Sequence, residues 1–385
     1  MPIRLGLFYG AIFIGTGVSS PYMPLWFAHH GLNGGRIGLI LSLPMLARAL
    51  SAPLLAVWAD SFRLRRTALM VMGGLVAAGY VLMAAPLGFV GWALVWFLAA
   101  SLYTTMSPLT DVIVLARARR DGFNYGWPRG IGSAAFIVGN VGMGAILGRA
   151  SPDAVLVWMT VAIAVNAVAA RVLLPPDPVH EEGAGTALAD RLTGLGELLR
   201  DPAFMTAVVA CGLIQSAHAF YYAFSTLAWK RQGITESMTG VLWAVGVVAE
   251  IGFMWFLEPW RRRIGPRNLL VLAGIAAVLR WSALAASPPL WLLFPLQTLH
   301  ALSYAATFFA SLQLVERLST PRNASAAQTL NSALSGGVLS GIATMISGWL
   351  FDRVGAQGYL LMSAMCVAGL LGALRLYGER RLDPA

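Results

Sequence analysis

The feature that most constrains this chain is a succession of apolar stretches, each about 20 residues long, separated by short polar connections. That is the length an α-helix needs to cross a hydrocarbon core of roughly 30 Å. Inside lipid the backbone must satisfy its own hydrogen bonds, which leaves helices or closed barrels. Continuous rather than alternating apolar runs select helices. Composition agrees, with 58% of the 385 residues hydrophobic and 11% charged, where a water-soluble domain carries roughly 25% charge. So few charged groups cannot cover a water-facing protein of this size.

The pattern predicts twelve membrane helices. Six precede a polar linker: Leu5–Ala28, Ile37–Trp58, Thr67–Leu87, Gly91–Ala116, Arg129–Gly148 and Ala154–Leu174. Six follow it: Pro202–Trp229, Met238–Leu257, Asn268–Ala286, Pro289–Val315, Asn323–Leu350 and Gln357–Tyr377. The run after Arg4 is too long for a signal-peptide core and lacks a small-residue cleavage site, so it reads as an uncleaved first helix. The linker, residues 175–201, contains Pro175, Pro176, Asp177, Glu181 and Glu182, then a surface helix around Leu188–Arg200. Asp201-Pro202 reads as a helix cap with proline in the first turn. The expected domains are residues 1–174, the cytoplasmic linker 175–201, and residues 202–385.

The net charge is +10, but its distribution argues against nucleic acid. With alternating loops, 20 of the 27 lysines and arginines fall on the side of the termini and five on the other, leaving Arg48 and Arg280 inside the membrane. The positive-inside rule then places both termini in the cytoplasm.

The two halves read as weak repeats offset by roughly 200 residues. Asp60 followed by Arg63, Arg65 and Arg66 in the first half corresponds to Glu258 followed by Arg261, Arg262, Arg263 and Arg267 in the second. Gly144/Gly148 on the fifth helix and Gly337/Gly341 on the eleventh share a small-xxx-small spacing that lets helix backbones approach closely. The expected fold class is therefore an all-α integral membrane protein whose twelve helices form two pseudo-symmetric six-helix bundles.

On these residues the chain resembles the major facilitator superfamily over essentially its whole length. Ala56–Arg66 (AVWADSFRLRR) resembles the superfamily's cytoplasmic signature between helices two and three, with Ala56 in place of the usual first glycine and Leu64 where a basic residue is expected. The resemblance implies a cytoplasmic gating role for Asp60, Arg63, Arg65 and Arg66. Arg48 with Pro53, Ser107–Asp111, Tyr125–Phe136, Leu279–Trp281, Leu299–Ala301 and Gln328 are similar to the branch of 3-phenylpropionate and lactose-permease-like proton symporters. It implies a functional monomer of the bacterial inner membrane that moves a small solute with protons by rocking two bundles around a midplane site. An aromatic carboxylate such as 3-phenylpropionate is the expected substrate. A sugar or nucleoside symporter and a drug-efflux antiporter are the alternatives within transport. A non-transporting ligand sensor is disfavoured because the cytoplasmic loops are too short to carry an output module.

Charges in mid-bilayer cost about 2.5–3.5 kcal/mol on insertion scales and mark function by default. Glu250, Arg280 and His300 lie on the consecutive eighth, ninth and tenth helices and are expected to converge. A carboxylate facing Arg280 is held ionised, and one moved away from it in a dry cavity takes up a proton. Glu250 is thus the expected proton carrier, with His300 tuning the relay or bonding substrate; a permanent Glu250–Arg280 structural pair is the alternative. Arg48 has two readings, an ion pair with Asp111 or a guanidinium fork awaiting a substrate carboxylate. Tyr22, Asn140, Gln215, His218, Tyr221, Tyr222, Gln297 and Asn331 are the expected polar wall of the cavity, although interfacial belts and helix packing also claim tyrosines.

Other signals carry little. Gly130-Ile131-Gly132 follows no strand and fails as a dinucleotide fingerprint. His29 and His30 are adjacent and cannot share a helix face, so no metal site is expected there. Asn323-Ala324-Ser325 matches a glycosylation pattern but falls on the expected cytoplasmic side. Cys211 and Cys366 lie far apart in apolar runs and read as buried hydrophobes. Neither a nucleotide-binding loop nor a nucleophile–base constellation is present, so no cofactor and no enzymatic activity are expected.

Overall fold

The computed structural model describes residues 1–176 and 194–382. Among them all regular secondary structure is helical. Ten helical stretches are long and apolar enough to cross a membrane, and one of these, Ala324–Gly378, contains two helices joined at Gly355–Gly358. A further crossing, residues 290–318, is broken into three helical pieces. Twelve crossings result among the described residues. In the first half they are α1 (Pro2–His29), α2 (Gly34–Asp60), α3 (Arg65–Met83), α4 (Gly88–Asp121), α5 (Gly126–Leu147) and α6 (Asp153–Leu173). In the second half α7 is Pro202–Arg231, α8 Glu236–Phe256 and α9 Arg263–Ala285. The tenth, α10, comprises Leu290–Thr298, a π-helical Ala301–Ala306 and Thr307–Leu318. Likewise α11 comprises Ala324–Asn331, a π-helical Ser332–Leu339 and Ser340–Val354, and α12 is Tyr359–Arg375. Of the surface helix expected in the linker, the structure contains Leu195–Arg200; the rest of that expectation lies outside the described residues.

Local chemistry fixes several boundaries. Asn33 caps α2 by accepting from the Arg36 amide at 3.0 Å. Asp201 caps α7 by accepting from the amides of Ala203 and Phe204 at 3.0 and 3.2 Å, with Pro202 in the first turn where no amide donor is needed. At a kink near the start of α9, Gly265 adopts φ 75° and ψ 163° ahead of Pro266, a conformation essentially reserved for glycine.

Chain contacts divide the molecule into two compact units. One is Met1–Ala184 with Trp229–Ala244; the other is Gly185–Ala228 with Val245–Ala385. In the first unit α1 packs on α5 and α6, α3 on α4 and α6, and α2 on α4. In the second, α7 packs on α11 and α12, and α9 on α10 and α12. The pairs recur with an offset of six helices, as expected of a repeated bundle. The closest approach in the first unit is glycine-dependent: a Cβ on Gly17 would lie 2.2 Å from the Phe136 carbonyl oxygen, and one on Gly139 would lie 2.3 Å from that of Ile14. The equivalent α7–α11 contact sets Gly212 against Ser335 and Leu339.

Arginines tie helix ends within each unit, where the last turn leaves carbonyls unpaired. Arg66 donates to the carbonyls of Arg171 and Leu174, both at 3.4 Å, and Arg4 donates to that of Val172. In the second unit Arg267 donates to the Leu376 carbonyl and Arg317 to that of Leu382. Arg66 and Arg267 thus play matching parts at the ends of α6 and α12. Arg381 closes the second unit with a two-pronged bond to Asp201, at 2.7 and 3.0 Å, and a further bond to Glu379.

Candidate functional site

The second unit holds a buried polar network centred on Arg280 of α9, whose side chain has no solvent exposure. Arginine presents donors in a fixed planar fork, and three side chains of α10 supply acceptors to it. The Arg280 Nη1 lies 3.0 Å from His300 Nδ1 and 3.1 Å from Ser303 Oγ, while Nη2 donates to Gln297 Oε1 at 3.0 Å. Tyr221 donates to the same Gln297 oxygen at 3.0 Å. The guanidinium also lies over the rings of Tyr221 and Trp281, 4.7 and 4.6 Å from their centroids, which suits a cation removed from water. Glu250 of α8 completes the set, its Oε2 lying 3.5 Å from His300 Nε2. Glu250, His300 and Arg280 therefore converge, with His300 placed so that one ring nitrogen faces each charged partner.

Backbone irregularities put these groups within reach. Regular α-helix in α7 stops at Ser216 and resumes at Ala219. His218 sits in that break, with Nδ1 3.0 Å from the Gln215 carbonyl and Nε2 3.2 Å from Ser303 Oγ. In α10 the π-helical turn begins directly after His300 and includes Ser303 and Tyr304, and such turns recur at functional sites. The His300 ring stacks on Tyr304 with centroids 5.1 Å apart.

The other residues singled out in the sequence are placed differently. Gln297 and His218 are fully buried inside the network, and Tyr222 is half-buried against His218 and His300. Gln215 enters it through its backbone carbonyl, its own Oε1 having no hydrogen-bond partner among the described residues. Asn331 accepts from Ser311 and Ser335, joining α10 to α11. In the first unit Tyr22 is fully buried and donates to the carbonyls of Asn140 and Glu236 at 3.1 and 3.2 Å. Asn140 is fully buried too, and its carboxamide bonds to nothing among the described residues.

Of the two readings of Arg48, the pair with Asp111 does not form among the described residues. Asp111 accepts instead from the hydroxyls of Tyr9 and Tyr125, the latter at 2.8 Å. Arg48 is exposed on α2 and forms no hydrogen bond or ion pair with any described residue. In the Asp60 loop, Asp60 is exposed and makes no hydrogen bond or ion pair among the described residues, Arg63 is exposed, Arg65 is half-buried, and Arg66 bonds the end of α6. Ser303 and Tyr304 escaped the sequence reading because serine and tyrosine are common in membrane helices; the spacing of three residues from His300 to Ser303 was the available signal.

Comparison with known proteins bears on the whole chain. A family model described as the MFS_1 like family matches residues 2–361. The Escherichia coli (strain K12) protein named "Probable 3-phenylpropionic acid transporter" is 26% identical over 372 residues, covering 95% of each chain. The maltose permease of Geobacillus stearothermophilus is 27% identical over 379 residues, covering 97% of this chain and 94% of that one. Among solved structures, the nucleoside transporter NupG superposes with a TM-score of 0.82 at 15% identity, over 98% of this chain and 99% of the other. A bacterial homologue of the lysosomal transporter Spinster superposes with a TM-score of 0.71 at 14% identity, over 100% and 98%. At such identities the structural likeness speaks for the fold. Twelve crossings, the repeated helix pairings and a family match across nearly the full length agree, and the chain belongs to the MFS_1-like family of major facilitator membrane transporters.

Proposed function

We propose that this transporter carries a small aromatic carboxylate, of the 3-phenylpropionate type, into the bacterial cell together with protons, by alternating access and with both termini in the cytoplasm. The observation that carries the reading is the Glu250–His300–Arg280 sequence, a half-buried carboxylate and a buried guanidinium inside one bundle with a buried imidazole between them. Ionisable groups at membrane depth are expensive and mark ion or proton pathways. An ionised Glu250 balances Arg280. Protonation of Glu250 removes that balance, so the loading state of one carboxyl changes the net charge of the whole buried set. A monocarboxylate crossing with one proton moves no net charge and therefore meets no membrane-potential cost. Arg48 supports an anionic substrate, since it is a guanidinium on a membrane helix with no hydrogen-bond or ion-pair partner among the described residues, and its planar fork matches a carboxylate. The E. coli relative adds chemical support for an aromatic acid.

The test measures external pH in weakly buffered, de-energised cells expressing the chain. Adding phenylpropionate should alkalinise the medium relative to empty-vector cells. Glu250→Gln should abolish pH-driven accumulation yet keep exchange of substrate down its gradient, and Arg48→Lys should weaken uptake because the charge survives but the fork does not. Retained uphill uptake in Glu250→Gln would refute the carrier assignment. Alkalinisation with maltose or nucleosides, and none with phenylpropionate, would keep the coupling and replace the substrate.

A further inference from the structure

The direction of each hydrogen bond around Arg280 follows from which atoms are able to donate. A guanidinium has donors and no acceptor, so the His300 Nδ1 at 3.0 Å from Arg280 Nη1 must present its lone pair. The single proton of a neutral His300 then sits on Nε2, the nitrogen 3.5 Å from Glu250 Oε2. An imidazolium would point an N–H at the arginine fork. On the other side, the Gln215 carbonyl can only accept, so the His218 Nδ1 at 3.0 Å from it carries a proton. The His218 Nε2 lies 3.2 Å from Ser303 Oγ, and that hydroxyl already accepts from Arg280 at 3.1 Å. Among the described residues the Ser303 hydrogen has two acceptors in reach, His218 Nε2 at 3.2 Å and the His300 carbonyl at 3.5 Å; the shorter is His218. A cationic His218 would set a second charge beside Arg280 across one shared hydroxyl, with both side chains shielded from water, an arrangement that burial makes costly. His218 is therefore neutral with its proton on Nδ1, the tautomer opposite to that of His300.

We infer that Ser303 and His218 are positioning residues for the coupling site: they fix the guanidinium of Arg280, and through it hold His300 in the Nε2–H tautomer, so that its one N–H is aimed at Glu250. Which ring nitrogen of a histidine carries the proton is set by what the other nitrogen bonds, and here that control extends across two intermediates. His218 Nδ1–H anchors to the α7 backbone at the break beside Ser216. Its Nε2 orients the Ser303 hydroxyl, Ser303 offers its lone pair to Arg280, and Arg280 occupies His300 Nδ1. His300 is thus a fixed donor. With Nδ1 taken, it cannot shuttle a proton from one nitrogen to the other without releasing Arg280, and Glu250 is left as the group that gains and loses the proton. This assignment of roles rests on the proton-symport reading; the tautomers themselves do not.

The two layers separate experimentally. The purified full-length chain, labelled with 15N-histidine, has five histidines to resolve, and two-bond 15N–1H correlations report the tautomer of each. His218→Asn and His300→Asn assign the two signals. At pH 7.5 we expect neutral Nδ1–H for His218 and neutral Nε2–H for His300. Ser303→Ala should mix both tautomers and cut uphill uptake on the order of tenfold, the loss typical when a group that orients a functional side chain is removed, while exchange persists. Ser303→Thr keeps the hydroxyl and should retain both tautomers and most of the uptake. An Nδ1–H or cationic His300 in the wild-type chain, or a single unchanged Nε2–H tautomer in Ser303→Ala, would overturn the inference. Tautomers that respond as expected while Ser303→Ala transports normally would overturn the role in coupling. Locked tautomers in a chain that moves no protons would instead overturn the symport reading and leave the positioning assignment standing.

Discussion

Replacing Gly17 by alanine tests the close packing of α1 on α5. The new Cβ would lie 2.2 Å from the carbonyl oxygen of Phe136 and 3.0 Å from its carbonyl carbon. Carbon–oxygen contacts settle at about 3.3–3.6 Å, so the two helices must part by roughly 1 Å. The opposing atoms are backbone and cannot rotate aside. Overpacking of this kind costs about 1–3 kcal/mol, and exchanging glycine for alanine inside a helix returns about 1 kcal/mol. The net is a loss of up to about 2 kcal/mol. Gly74 on α3 provides the control, because nothing lies within 4 Å of a Cβ placed there, and Gly74→Ala should stabilise by about 0.5–1 kcal/mol. The same chemical change therefore has opposite signs at the two sites. Detergent-solubilised variants can be unfolded by heat or dodecyl sulfate and followed through tryptophan fluorescence. A midpoint for Gly17→Ala equal to that of Gly74→Ala would refute the glycine-dependent packing of α1 on α5.

Further outcomes follow from the connections between helices. The fork of Arg381 is the main influence holding the Asp201 carboxyl below its ordinary value of 3.8, with the capping amides of Phe204 and Ala203 adding to it. A depressed carboxyl stabilises the fold above the ordinary value, and that contribution is lost as pH falls through the lower folded value. Arg381→Gln should therefore flatten the acid limb of a stability–pH profile below about pH 4, while Asp201→Asn should keep the helix cap and show the same flattening. Gly265→Ala forces a side chain into a glycine-only conformation and should cost about 1–3 kcal/mol. Gly252→Ala, which meets open space, should show no such loss in the same unfolding assay.

Much of the architecture was legible because membrane helices announce themselves by length. The predicted first helix, Leu5–Ala28, sits inside the observed Pro2–His29, and Arg129–Gly148 overlaps Gly126–Leu147 to within three residues at each end. The tenth helix was read as continuous, whereas the structure breaks it at Leu299 and His300 and inserts a π-helical turn. A single extra residue in a turn leaves no trace in hydropathy. The polar centre was legible where charge is rare, so Glu250, Arg280 and His300 stood out. Ser303 is polar without being rare and did not. The Arg48–Asp111 pairing failed for a related reason. Opposite charges attract attention in sequence, but Asp111 found two tyrosine hydroxyls, Tyr9 from α1 and Tyr125 from the start of α5, and neither is marked by charge.

The arginines that bond the ends of α6 and α12 have a consequence for how this protein is engineered. Arg4, Arg66, Arg267 and Arg317 belong to the cationic excess that a topology rule counts, yet each also donates to a main-chain carbonyl at a helix end or in the C-terminal tail. Charge-reversal mutagenesis aimed at inverting the protein in the bilayer would untie those ends at the same time, and failed insertion would be confused with a loosened bundle. Exposed Arg119 and Arg120, at the last turn of α4, offer charges that can be reversed with the helix-end ties left intact.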